Sequence, residues 1–289
     1  MAEGSRSATD VAAATLAHLA ANAVAQSGSE NFPVAMRVVP KTPRQHLLRI
    51  YTYARFVDDV GDEAPGDRQA LLDLVEEDVR RLPEGRAVLG PVAGLAPTVQ
   101  GCGLTTGPLL DLIEANRRDQ YVRRYANFDD LLDYCRLSAA PVGRMVLCVA
   151  GVHGETEITW SDRICAALQV LEHCQDVAED ARRGRVYLPA EDLRAAAVRE
   201  TDLLAPTATP ALRRVLARQV ERAAGLLADG RPLLRRLSGW SRFAVTGYAA
   251  GGHATVSALR AADYDVLAQD VRPTRVRTLG AAVRLAAAR

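Results

Sequence analysis

Apolar residues recur at three- and four-residue spacing along nearly the whole chain, in long segments rich in Ala, Leu, Arg and Glu. That is the periodicity of helices with one buried face. No sustained alternation of period two interrupts it, so strands are not expected. The pattern predicts helices over Asp10 to Gln26, Pro43 to Val60, Arg68 to Leu82, Pro108 to Arg123, Phe128 to Val152, Ser161 to Arg183, Thr209 to Leu237 and Arg242 to Ala262. A piece rich in Gly and Pro between Pro83 and Pro108 breaks the pattern and leaves room for a short helix only. No repeat of solenoid period appears, and no linker stands out. The expectation is an all-α fold forming a single domain over residues 1–289, with an N-terminal helix within residues 1–27 at its periphery.

One run does not fit an ordinary helix with a buried face. Directly after the apolar-rich LLRIYTYAR comes FVDDVGDE, Phe56 to Glu63. Tyr51, Arg55, Asp58 and Asp62 step by four, three and four and share a face, while Asp59 lies about 100° round the helix. A second ladder stands in LEHCQDVAEDARRGRVYLP, where Glu172, Asp176 and Asp180 step by four and four, with Gln169 one turn upstream.

A charge run at a helix end is ordinarily a solvated face. Two ladders on long helices, both embedded in apolar sequence, carry a further expectation: carboxylate faces opposed across a helical bundle, with divalent cations held by them. Repulsion of ~0.7 kcal/mol per carboxylate pair at ~6 Å in water, and about four times that at a protein-like dielectric, favours cation capture. Carboxylate oxygen suits Mg²⁺, a hard ion that shares its shell with waters and substrate phosphates.

Composition narrows the partners. At 289 residues and 48% apolar, the chain is long enough to bury a sizeable core. Lys and Arg number 36 against 35 Asp and Glu, so the basic excess of a nucleic-acid surface is missing. Five scattered cysteines, an odd number, fit neither a disulfide framework nor a zinc site and point to a reduced, cytoplasmic setting. The segment VAAATLAHLAANAVA lacks the basic flank of a secretory signal and reads as an ordinary helix. No run reaches the roughly 18 apolar residues that span a bilayer, which leaves at most a peripheral membrane contact. His18, His46, His153, His173 and His253 form no ligand set and read as surface or hydrogen-bonded core residues.

YTYARFVDD with Asp62, and QDVAEDARRGRVYLP, closely resemble the two aspartate-rich motifs of the squalene and phytoene synthase family. ENFPVA at Glu30 to Ala35, DLIEANRRDQ around Glu114 and Asp119, NFDDLLDYCRLSAAPVGR from Asn127 to Arg144 and YDV at Tyr264 to Val266 extend the resemblance over most of the chain, in the family's order. ENFPV, PVGR and the pair Gly251-Gly252 are most similar to the bacterial hydroxysqualene synthases of the hopanoid route. The resemblance implies an isoprenoid-synthase helical bundle around a central apolar cavity, Mg²⁺, and a prenyl diphosphate substrate, presqualene diphosphate. Water would convert it to hydroxysqualene with release of diphosphate and without a nicotinamide cofactor. The implied neighbours are a presqualene diphosphate synthase and a hydroxysqualene reductase. Four positions depart from the family: Glu172 stands where relatives usually carry asparagine, the neighbouring His173 and Cys174 are unusual there, and Ala140 stands where hydroxysqualene synthases show asparagine before PVGR.

Ionising an allylic or cyclopropylcarbinyl C–O bond needs cations at the leaving group. Asp58, Asp59, Asp62, Glu172, Asp176 and Asp180 are the expected metal ligands; Arg55, Gln169, Arg185 and Tyr187 are the expected diphosphate contacts. Phe32, Val142, Gly143, Val146, Leu147 and Ala150 are candidate cavity walls, Gly143, Gly251 and Gly252 candidate sources of width, and Tyr51, Tyr134 and Tyr248 candidate aromatic faces for a passing carbocation. Two alternatives stand beside this reading. One is a head-to-head prenyl condensing synthase forming presqualene diphosphate, dehydrosqualene or phytoene. The other is a non-catalytic scaffold of the same fold, against which the intact carboxylates argue.

Overall fold

The computed structural model describes residues 8–29 and 39–287. Among them the chain is helical, with no strand and one isolated parallel bridge, Arg124 to Val186. The helices are α1 (Ala8–Ser29), α2 (Lys41–Asp62), α3 (Arg68–Arg81), α4 (Gly90–Ala93), α5 (Ala96–Cys102), α6 (Gly107–Arg118), α7 (Phe128–Ser138), α8 (Ala140–Val149), α9 (Glu155–Gln175), α10 (Val177–Arg182), α11 (Ala190–Ala195), α12 (Pro210–Gly230), α13 (Leu233–Arg236), α14 (Gly239–Ala261) and α15 (Arg275–Ala287), with 3₁₀ turns at Leu82–Glu84 and Glu200–Leu204. The motif ENFPVA, with Phe32, lies outside the described residues.

Several expected helices are divided, and proline accounts for two of the divisions. Pro141 lacks an N–H and disfavours the helical conformation of its predecessor, so the run expected over Phe128 to Val152 breaks at Ala139 and restarts with Pro141 in the first turn of α8. Pro232 likewise separates α12 from the single turn of α13. The run expected over Ser161 to Arg183 begins earlier, at Glu155, and breaks at Asp176 with φ −98° and ψ 18°. The helix expected to reach Arg123 stops at Arg118, and α11 and α15 were not expected at all.

The chain groups into two compact units. The first runs to Tyr121 and includes Arg144–Val152. Its core joins Leu16, Leu19 and Ala23 of α1 to Ile50, Tyr53, Phe56, Val57 and Val60 of α2, Leu72, Val75 and Val79 of α3, Leu109 and Ile113 of α6, and Met145 of α8. Two polar groups tie this core down. The Tyr53 hydroxyl donates to the Leu109 carbonyl at 2.9 Å, and the buried Asp78 accepts the backbone N–H groups of Val88 and Leu89 at 2.8 and 2.9 Å.

The second unit comprises Val122–Gly143 and the chain from His153 onward. Here α9 packs against α12 and α14, and α15 lies on α14. Close approach depends on glycine: a Cβ on Gly230 would stand 2.5 Å from Cγ1 of Ile164. Asn127 and Thr209 cap α7 and α12 by accepting the N–H groups of Asp130 and Leu212.

Candidate active site

The first acidic ladder ends up at the C-terminal end of its helix, where the helix dipole disfavours negative charge, while the second straddles the break between two helices. The last turn of α2 holds Asp58, Asp59 and Asp62 with no basic residue among them. In the second unit, Glu172 stands in the last turn of α9, Asp176 at the break and Asp180 in α10. The break does not destroy the ladder. Asp176 N–H donates to Glu172 O and Asp180 N–H to Asp176 O, each at 2.9 Å, so the four-residue register survives.

In the first unit, Asp58 and Asp62 are exposed while Asp59 is only 3% exposed. Arg55, expected at a diphosphate, meets Asp59 instead, with Nε 2.8 Å from Oδ1, and its Nη2 stands 3.7 Å from Glu63. Burial pushes the Asp59 carboxyl up and the Arg55 guanidinium opposes it. Asp59, expected among the metal ligands, is therefore a buried counter-ion of Arg55, and the solvent-facing pair is Asp58 and Asp62.

Asp58 touches solvent yet is crowded by protein atoms. That crowding pushes its carboxyl up to about 6, with Asp62 acting in the same direction and a hydrogen bond from Asn116 opposing. Asn116 Nδ2 donates at 3.0 Å to Asp58 Oδ1 and at 3.2 Å to Leu112 O. The fit leaves no space on α2: a Cβ on Gly61 would lie 2.1 Å from Asn116 Oδ1. Gln120 closes the arrangement by donating to the carbonyls of Gly61 and Asn116 at 2.9 and 3.0 Å.

In the second unit, each carboxylate of the ladder has a different neighbour. Burial and the charge of Asp176 raise the Glu172 carboxyl, opposed by His173. Asp176 is raised by burial and by Asp180, and held down by Arg272, whose Nη2 donates to Oδ1 at 2.9 Å. Asp180 Oδ2 stands 3.7 Å from Nδ1 of the buried His173, and the other ring nitrogen lies 3.3 Å from Gln169 Nε2. The His173 ring stacks on Tyr187 with centroids 3.7 Å apart. Tyr125 and Tyr134 pack round Tyr187 at 5.7 and 5.6 Å. Tyr134, expected at a carbocation, is buried in this cluster.

The stretch that follows is fixed by main-chain bonds. Val186 N–H donates to Arg123 O, Ala190 N–H to Tyr125 O and Glu191 N–H to Ala126 O, all within 3.0 Å. The crevice lined by His173, Asp180, Arg185 and Tyr187 encloses about 10 Å³, the scale of one water.

Of the expected cavity residues, Val142 is exposed and Leu147 fully buried, while Val146 and Ala150 are half-buried. Tyr51 is half-buried and Tyr248 is 38% exposed. The glycines separate by environment. A Cβ on Gly143 would meet Cys165 Sγ and Ser161 Oγ at 2.5 Å, and one on Gly252 would meet Leu168 at 2.9 Å and Leu227 at 3.1 Å, so both are helix-packing positions. Gly251 has open space in front of it.

The carboxylates suit Mg²⁺ in their donor chemistry: hard oxygens, reached by solvent, several with proton affinities raised first by burial and then by neighbouring negative charge. Among the described residues no three His, Cys, Asp or Glu side chains close a metal cage by themselves. Mg²⁺ does not require one, since it usually takes one or two carboxylates and completes its shell with waters and phosphates.

Residues 25–278 match the squalene/phytoene synthase family. The chain belongs to that family. It is 40% identical over 211 residues to the hydroxysqualene synthase of Rhodopseudomonas palustris, spanning 71% of this chain and 70% of the relative. With the hydroxysqualene synthase of Zymomonas mobilis the identity is 39% over 218 residues, 73% of this chain and 70% of that one. The crystal structure of squalene synthase HpnC from Alicyclobacillus acidocaldarius superposes with a TM-score of 0.79 at 38% identity, covering 88% of this chain and 96% of the other. A dehydrosqualene synthase at 22% identity shares the fold, with a TM-score of 0.81 over 96% of both chains. The all-α architecture is thus that of the isoprenoid synthases, and the protein is an enzyme of squalene/phytoene synthase type. Among the described residues no helix is long and apolar enough to cross a membrane.

Sequence reasoning passed over Asn116, Arg272 and His173 as parts of the site. Asn116 stood inside the quoted DLIEANRRDQ, where a polar residue at a core-facing helical position was the available signal.

Proposed function

We propose that the enzyme converts presqualene diphosphate and water to hydroxysqualene and diphosphate, with Mg²⁺ and without a nicotinamide cofactor, as one functional domain over residues 1–289. The observation that carries this reading is the pair of carboxylate ladders, Asp58 with Asp62 and Glu172 with Asp176 and Asp180, in which burial and neighbouring negative charge together create demand for a cation. The hydroxysqualene synthase relatives support the substrate and product.

Asp58 and Asp62 would hold Mg²⁺ in the first unit, and Glu172, Asp176 and Asp180 would do so in the second. Bound there, the metal would neutralise the charge that develops on departing diphosphate. Asn116 orients Asp58, and His173 orients Gln169 and stands beside Asp180. Arg185 follows the second ladder and would add hydrogen bonds to the leaving group. The C–O bond of presqualene diphosphate breaks with its electron pair leaving on diphosphate. The cyclopropylcarbinyl cation opens and rearranges, a water oxygen forms the new C–O bond, and the surplus proton passes to solvent. Tyr51 offers an aromatic face to the cation, and apolar walls such as Val142 and Val146 would keep water away until rearrangement is complete. Tyr134 and Tyr187 act behind the site as packing for His173.

The substrate would come from a presqualene diphosphate synthase and the product go to a hydroxysqualene reductase, with a peripheral membrane contact to exchange these oily molecules. The test supplies purified enzyme with Mg²⁺ and either presqualene diphosphate or farnesyl diphosphate, without nicotinamide, and analyses the lipid extract. Hydroxysqualene from presqualene diphosphate alone is expected. Consumption of farnesyl diphosphate as sole substrate would instead establish a head-to-head condensing synthase.

A further inference from the structure

Among the described residues, helix α15 leaves one face uncovered. Val276, Leu279 and Val283 are 80%, 66% and 60% exposed, and their spacing of three and four sets them in a single row along a helix about 20 Å long. The opposite side, through the buried Ala281, packs on α14. Arg277 and Arg284, two turns apart, flank the row on one side and Arg275 on the other. The helix carries no acidic residue.

On the Arg284 flank lies a groove of about 310 Å³, lined by Arg231, His253, Ser257, Arg260, Ala281 and Arg284 among others. Three arginines converge there, of which Arg260 is also held by Glu221 at 2.8 Å. Burial lowers the pKa of His253, and the charges of Arg231 and Arg284 lower it further, as a cationic recess requires. The whole chain has a net charge of only +1, whereas α15 carries three arginines and no acidic residue.

We propose that this face docks on an anionic lipid bilayer, with Val276, Leu279 and Val283 entering the boundary between headgroups and acyl chains and a lipid phosphate seated among Arg231, Arg260 and Arg284. An apolar row flanked by arginines matches the layered chemistry of such a surface. A second copy of the chain fits less well, because an antiparallel two-fold contact through α15 would bring Arg277 of one copy towards Arg284 of the other, with no acidic residue on the helix to offset them. The proposal gives the peripheral contact named above a surface, and it is independent of the chemistry assigned to the carboxylates.

The test is cosedimentation of the full chain with vesicles of phosphatidylcholine, alone or mixed with phosphatidylglycerol. Binding to the mixed vesicles only, weakening as salt rises, is expected. Arg277→Gln and Arg284→Gln should each lower partitioning roughly fivefold, and Leu279→Asn roughly tenfold. Hydroxysqualene formation from detergent-dispersed substrate should be unchanged in all three. No binding to mixed vesicles, or binding that ignores these substitutions, overturns the proposal. So does a dimer abolished by Leu279→Asn while vesicle binding persists, which identifies a second copy as occupant. Protection from thermal unfolding by inorganic phosphate that depends on Arg284, without vesicle binding, overturns it in favour of a soluble anion. Vesicle binding by a protein that turns over no presqualene diphosphate would uphold this inference and sink only the catalytic one.

Discussion

Replacing Gly61 by alanine tests the support beneath Asp58 without touching a carboxylate. The new Cβ would fall 2.1 Å from Asn116 Oδ1 and 2.8 Å from its Cγ, distances no real pair of atoms tolerates. Asn116 is buried and held by Leu112 O and Asp58, so it must leave its place rather than flex. Forced repacking of this kind costs about 1–3 kcal/mol. Against it, alanine is favoured over glycine in a helix interior by up to about 1 kcal/mol. The net loss of roughly 1–2 kcal/mol should lower Tm by roughly 2–8 °C for a chain of this size, read by calorimetry without Mg²⁺. Displacing Asn116 also removes the hydrogen bond that holds the Asp58 carboxyl down, so Mg²⁺ binding at fixed pH should weaken, measured by titration calorimetry. In a double-mutant cycle, Gly61→Ala should cost almost nothing in the background of Asn116→Ala, because the clashing atoms are gone. A Gly61→Ala enzyme melting at or above the wild-type temperature would refute the packing argument.

Asp58→Asn and Asp176→Asn should each abolish diphosphate release while leaving Tm unchanged or slightly raised, since relief of repulsion offsets lost contacts; normal turnover of both in a phosphate-release assay would make the ladders decorative. The Asp58 carboxyl is raised from 3.8 to about 6 in the fold, so wild-type stability without metal is undiminished by this group below pH 3.8 and is lost as pH rises towards 6. The Tm advantage of Asp58→Asn should therefore grow from pH 4 to 6 and level off above; a constant difference across that window contradicts the assignment. Gly252→Tyr should unfold the packing against Leu168 and Leu227 and lose protein, whereas Gly251→Phe, facing open space, should fold, as judged by circular dichroism melts. Equal tolerance at the two positions would contradict the environments described for them.

Apolar periodicity located α2, α3 and α14 closely, because a helix with one buried face writes its own period into the chain. The ladders were legible for the same reason: steps of three and four need only local geometry. Helix breaks were less so. Pro141 and Pro232 were visible, yet the apolar pattern runs past both and hid their effect. Partnerships across the chain were not legible at all. Asn116 reaches Asp58 over 58 positions and Arg272 reaches Asp176 over 96, and no spacing rule connects them. Burial decided the rest. Asp58 and Asp59 are adjacent and chemically identical in sequence, but one faces water and the other neutralises Arg55. Gly251 and Gly252 part company in the same way.

The tether between residues 123–126 and 186–191 separates where the chain runs from what its side chains do. Its bonds come from the N–H groups of Val186, Ala190 and Glu191, not from any side chain. A library varying Arg185 should therefore keep its course while altering its chemistry, and proline at 186 or 190 is the substitution to leave out, because it deletes a donor. Engineers seeking altered products have in this stretch a rail whose fittings can be exchanged without moving the track.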